Sequence, residues 1–159
     1  MTSYFRESRN VELSLLYFLQ TSLNQDWTGV TVIKTFNDAY AKDINIPIVC
    51  VRLSQTTTSR REIGDDEYWQ KYLIIIDVFS RSDGQRLDLT DYLKDKIKAG
   101  WIHYDHSHAS GNNTVLERTA NGRDYIVEFI TDSKVDVVGG SDEKDKFRQM
   151  ISIQVRKSS

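Results

Sequence analysis

The segment Tyr68 to Ser80, YWQKYLIIIDVFS, constrains this chain more than any other. Successive side chains of a strand point to opposite faces. Tyr72, Ile74, Ile76 and Val78 therefore share one face, and Trp69, Leu73, Ile75 and Phe79 share the other. The second half is apolar on both faces and rich in β-branched residues, the pattern of a central strand covered on both sides. At thirteen residues it is also longer than the usual strand of about five or six. Its early part is therefore expected to leave the core. Just before it lies Gln55 to Glu67, QTTTSRREIGDDE, a polar stretch of thirteen residues. Hairpin loops normally take about two to five residues. Either the strand ribbon extends outward or an arm hangs from its tip.

Two helices frame this strand. From Asn10 to Asn24, Val11, Leu15, Leu19 and Leu23 recur every fourth residue on one face, with Leu16 and Phe18 beside them. Leu13 and Tyr17 project from roughly the opposite side, because two helical residues subtend about 200°. A sheet and a loop of the same chain cover that second face, or a subunit interface does. The other helix follows Ser82, which stands three residues before Gln85 as in a capping box. Leu89, Leu93 and Ile97 form its apolar stripe, and Gly100 sits where a left-handed C-cap belongs. Asp88, Asp91, Lys94, Asp95 and Lys98 read as its solvated side.

The remaining strands are shorter. Val30 to Phe36 and Ile44 to Ser54 precede the central strand, with the only proline, Pro47, near the start of the second. Trp101 to Tyr104, Tyr125 to Thr131 and Gln149 to Lys157 follow the second helix, separated by polar loops at Asp105 to Asn113 and Ser133 to Lys146. Strands that follow each other directly this often require antiparallel neighbours. The expected fold is α+β: a mixed, mostly antiparallel sheet with a long hairpin extension, packed against two helices. With 159 residues, 39% hydrophobic and 28% charged, a single domain over residues 1–159 suffices.

Composition excludes several functions. Cys50 is the only cysteine, so no internal disulfide forms, and its mid-strand position reads as a packed, inert thiol. A net charge of −2 supplies no global field for collecting phosphates. No apolar run approaches the ~20 residues of a membrane span. The N-terminal MTSYFRESRN lacks the apolar core of a secretory signal, so synthesis and use in a cytoplasm are expected.

One constellation has the look of a metal site. All three histidines fall within His103-Tyr104-Asp105-His106-Ser107-His108, where alternate imidazoles share a strand face and Asp105 is placed to complete or orient the set. A metal-dependent hydrolase built on His103, His106 and His108 is the enzymatic alternative. Zinc sites usually recruit ligands from separated segments, so the plainer reading is a polar post-strand loop, and no metal or cofactor is assigned. Nucleophile elbows and phosphate-binding glycine loops are absent. Asp77 and Glu128 lie within strands, but a nuclease-like lysine two residues after Glu128 is missing. Asp77 is expected to pair with Arg or Lys in the sheet or across an interface. Arg60 and Arg61 followed by Glu62, Asp65, Asp66 and Glu67 make a bipolar segment suited to complementary charge contacts with another copy or another protein.

The order of elements resembles that of tail terminator and tail completion proteins of long-tailed bacteriophages. The residues that carry the resemblance are the leading helix, the two strands joined to a third by a long polar extension, Leu73-Ile74-Ile75-Ile76-Asp77-Val78-Phe79, the junction Ser80-Arg81-Ser82-Asp83-Gly84-Gln85 running on to Gly100-Trp101, and the last strand Ile151-Ser152-Ile153-Gln154-Val155-Arg156. It covers essentially the whole chain. The resemblance implies a non-enzymatic virion subunit that forms a ring, commonly a hexamer. That ring caps the tail tube, meets the head connector and lets DNA pass as cargo; another neck or head-closure ring shares much of the pattern. A closed ring needs two different complementary patches on each subunit. The expected patches are the segment with Arg60, Arg61, Glu62, Asp65 and Asp66, and the helix face with Leu13 and Tyr17.

Overall fold

The computed structural model describes residues 7–40, 43–60, 68–108, 115–136 and 143–158. Among these residues two α-helices, α1 (Glu7–Asp26) and α2 (Asp83–Ile97), accompany six strands: β1 (Thr31–Ile33), β2 (Ile48–Arg60), β3 (Tyr68–Ser80), β4 (Trp101–His108), β5 (Val115–Val135) and β6 (Phe147–Lys157). The strand order is β1-β2-β3-β6-β5-β4. β1 runs parallel to β2, and the other neighbours pair antiparallel. This is the expected α+β fold with a mixed, mostly antiparallel sheet, and β3 lies inside it between β2 and β6.

Several boundaries differ from the sequence reading, each for a local reason. The expected strand Val30 to Phe36 shortens to Thr31–Ile33, and Phe36–Tyr40 turns into a 3-10 helix. β2 begins just after Pro47, whose carbonyl accepts the Thr31 N–H at 3.1 Å. It then continues through residues 55–60, which pair with residues 68–73 of β3. The polar stretch thus begins as an outward extension of the ribbon, while residues 61–67 lie outside the described residues. β5 starts ten residues before the expected Tyr125, at Val115. Residues 117–124 are exposed on both faces, so they carry no alternation for a sequence reading to find.

β5 gives the sheet its curl. Its first half pairs with β4, its second half with β6, and only Tyr125 pairs with both. The β4–β5 hairpin therefore bends away from the main sheet and closes over α1. Ser14 Oγ accepts the Tyr104 N–H at 3.0 Å, Asn10 Oδ1 accepts the His106 N–H at 3.1 Å, and Phe18 stacks on Trp101. Tyr17 meets the Tyr104 ring edge-on, with the Arg118 guanidinium 4.4 Å over its centroid. The second apolar face of α1 is thus covered by its own chain. Leu13, expected at a subunit interface, is only 8% exposed and belongs to the fold.

Both helices pack on one face of the sheet. Val11, Leu15, Leu19 and Leu23 of α1 and Leu89, Leu93 and Ile97 of α2 meet Val49, Val51, Tyr72, Ile74, Ile76, Val78, Ile151, Ile153 and Val155. Each such large apolar side chain contributes about 1.5–3 kcal/mol on burial. α2 is capped as its sequence indicates: Gln85 N–H donates to Ser82 Oγ at 3.1 Å, and Gly100 takes φ +81°. The Gln85 side chain reaches back to the Arg81 N–H, one residue earlier than in a strict capping box. Asp88, Asp91, Asp95 and Lys98 are exposed as expected, whereas Lys94 turns to Asp132 of β5 at 2.9 Å.

Candidate interaction surface

Among the described residues, the opposite face of the sheet is covered only at one end. There Phe36, Ala39, Tyr40, Ile44 and Ile46 pack on Ile48, Cys50 and Phe79. Beyond that end the face is open, and β3 is covered on both sides only over residues 76–80. Trp69, Ile102, Ile126 and Phe129 are each 38% to 46% exposed. Register places Leu73, Gln154 and Phe129 in one row and Lys71, Arg156 and Ile126 in the next. Single exposed apolar residues are ordinary, but several on one sheet face mark a contact surface. Composition could not reveal this, because their partners in the alternating pattern look like any half-buried strand. Glu128, the extra residue of a bulge in β5, reaches Lys71 at 3.1 Å and Arg156 at 3.5 Å on this face.

At the covered end, Asp77 is fully buried and held by two arginines. Arg52 Nε donates to Oδ2 and an Arg148 terminal nitrogen to Oδ1, both at 3.1 Å. The Phe36 ring lies 5.4 Å from the Arg52 guanidinium and 4.7 Å from that of Arg148. Asp77 is therefore paired within the sheet, one of the two expected arrangements, and Glu128 lies on a different part of the face. Cys50 stands directly across from Asp77. Burial first, and then the Asp77 charge, pushes its thiol up to about 12. The thiolate is the reactive form, so native protein at pH 8 is expected to resist alkylation. Mass spectrometry after iodoacetamide checks this: full labelling is expected only in denaturant, and labelling of the folded chain would contradict it.

The histidine segment is strand rather than loop. His103 is buried, with Nδ1 2.6 Å from the Tyr125 hydroxyl and Nε2 3.6 Å from Asp105. His106 is buried against Asn10, its Nδ1 3.3 Å from Asn10 Oδ1. The His108 side chain lies outside the described residues. Among the described residues, no three His, Cys, Asp or Glu side chains gather as metal ligands would. The two buried histidines instead bind the curled hairpin to α1 and β5. Glu7 joins the same region, accepting from the Tyr72 hydroxyl at 3.2 Å and pairing with Lys157.

His103 makes this region sensitive to acid. Burial first, and then nearby Lys157, lower its pKa below the ordinary value of 6.5. The unfolded chain binds the proton at a higher pH than the folded one, so stability is fully present above about pH 6.5 and falls as the pH drops toward the depressed folded value. Urea denaturation across pH 5–8 is expected to show this loss. In His103→Gln the slope attributable to this group should vanish, and an unchanged profile would place the sensitivity elsewhere.

Of the residues expected at an interface, Tyr17 is half-buried under Arg118 and Leu13 is internal. Arg61, Glu62, Asp65 and Asp66 lie outside the described residues, as does the Arg60 side chain, although the Arg60 backbone pairs with Tyr68 at the end of the ribbon. No described helix is long and apolar enough to cross a membrane. In comparisons with known proteins, the chain matches no family model and no curated protein sequence.

Proposed function

We propose that this chain is a non-enzymatic virion subunit, similar to tail terminators of long-tailed phages. In this reading it forms a ring, with a hexamer expected, that caps the tail tube, joins it to the head connector and passes DNA as cargo. The observation that carries this reading is the β2–β3 ribbon. Its outer part, residues 54–59 of β2 and 69–70 of β3, is exposed on both faces yet keeps its ladder of pairs. An isolated two-stranded ribbon is marginal in water. A subunit that extends one gains most when a neighbour packs on it. The open sheet face supplies a second, chemically different surface for the tube or the connector. A net charge of −2 agrees with a lumen that does not hold phosphates.

Light-scattering mass over a range of concentrations, with negative-stain imaging, tests the reading. A closed ring with a central hole is the expected result, and a monomer at every concentration would overturn it. Deleting residues 57–65 should leave the thermal transition of the monomer nearly unchanged. The same deletion should weaken assembly by at least about tenfold, or 1.4 kcal/mol per contact. If the deletion unfolds the domain, the ribbon belongs to its core and the assignment fails.

A further inference from the structure

We infer that the ring closes by strand addition: the free edge of β2 at residues 55–59 in one copy pairs with the outer edge of β5 at residues 129–134 in the next. This rests on the ring-forming reading above and names its contact.

The β2 edge is open because β1 pairs only with residues 48–50. At Leu53 the outward N–H is taken by the Glu12 carboxylate of α1 at 2.8 Å, and β2 bulges immediately afterwards. From residue 55 onward, β3 is the only strand paired with β2 among the described residues. Natural edge strands are blunted by charges, prolines or covering segments, because their peptide groups otherwise recruit another strand. Residues 53–59, Leu-Ser-Gln-Thr-Thr-Thr-Ser, contain neither a charge nor a proline, and the three threonines favour extended backbone. Main-chain donors and acceptors in a row select an extended peptide as partner rather than a helix or a small molecule.

The same sheet offers a partner edge of matching length. β5 pairs with β6 over residues 125–135, whereas β4 leaves it at Tyr125, so over residues 126–135 its other edge carries no described strand. Over residues 129–134 its charges belong to the helix-covered side: Asp132 is engaged by Lys94 and Gln149, and Lys134 by Asp136. On the open side Phe129, Thr131 and Ser133 are uncharged, as are Gln55, Thr57 and Ser59 on the corresponding side of β2. Joining the two edges sets neutral rows side by side and continues the sheet from one copy into the next. The edges are different and lie toward opposite margins of the sheet, which is the head-to-tail arrangement a closed ring requires.

Pairwise cross-linking tests the contact. Thr57→Cys is combined in turn with Phe129→Cys, Thr131→Cys or Ser133→Cys, covering registers two residues apart, and Cys50 stays in place because it is buried. After mild oxidation or a short bismaleimide, at least one double variant should give a ladder of covalent multimers on a denaturing gel, and each single variant should give none. Cross-linking of Thr57→Cys alone would show a two-fold ribbon contact and overturn the inference. Rings that assemble without any cross-link would overturn it while leaving the ring reading intact, and absence of rings would remove both. Hydrogen exchange supplies a second readout: amides 55–59 should exchange roughly tenfold or more slowly in rings than in diluted subunits. Equal rates would likewise overturn the inference.

Discussion

Asp77→Asn is expected to be among the most damaging single substitutions in this chain, lowering unfolding free energy by about 3 kcal/mol. The carboxylate is fully buried and neutralises Arg52 and Arg148 together. Removing its charge leaves the Arg148 guanidinium, mostly buried under Phe36 and Phe79, without a counter-ion. Breaking a buried pair from one side typically costs about 3–5 kcal/mol. The lower end applies here because the Arg52 side chain is 37% exposed and water screens it. For a domain of this size the loss corresponds to a fall in Tm of roughly 6–12 °C. The reason is the stranded arginine rather than the lost bond, so Asp77→Leu combined with Arg148→Met should recover much of the stability. Calorimetry of the single and double variants checks both expectations. A double variant no better than Asp77→Leu alone would show that the ion pairs themselves hold Phe36–Tyr40 on the sheet.

Gly100→Ala is the second large effect. Gly100 ends α2 with φ +81°, and an added Cβ would stand 2.2 Å from the Tyr125 carbonyl oxygen. The left-handed backbone alone costs an alanine about 1–2 kcal/mol. The contact cannot be relieved by a side-chain rotation, because the obstructing atom is backbone in the one residue of β5 that pairs with both β4 and β6. A total loss of about 3 kcal/mol or more is expected, within the range of overpacked sites with added strain. Gly29 and Gly122 also have positive φ, but an added Cβ would meet nothing within 4 Å. Alanine at either should therefore cost only the backbone term, about 1–2 kcal/mol. Denaturation midpoints for the three variants test the ordering. Trp101 stacks on Tyr125 with ring centroids 5.2 Å apart, so near-ultraviolet circular dichroism should report local loosening in Gly100→Ala alone.

Much of the fold was legible because burial leaves a periodic trace. The stripe of Val11, Leu15, Leu19 and Leu23, the capped second helix and the two-sided apolar half of β3 each record in their spacing which side faces the core. The charge of Asp77 within an apolar strand likewise announced a buried pair, although nothing local could name Arg52 or Arg148 as its partners. The candidate surface was much less visible. Residues 117–124 look like a loop, and residues 55–60 left ribbon and arm both open, because a strand exposed on both faces has no reason to alternate. The histidine segment suggested ligands by proximity, whereas the strand it forms buries His103 against Tyr125 and His106 against Asn10.

By itself, the sequence determined the helices, the central strand, the α+β class and the capped end of α2, since each depends on contacts between residues near in the chain or on the side that meets the core. Tertiary structure alone decided three further things: that β5 divides its pairing between β4 and β6, that the resulting curl covers Leu13 and the second face of α1, and that, among the described residues, most of one sheet face and the edges of β2 at residues 55–59 and of β5 at residues 126–135 stay open. Those outcomes depend on pairing between strands up to dozens of residues apart. Backbone hydrogen bonds are nearly indifferent to side-chain identity, so local spacing holds little record of which strands they join.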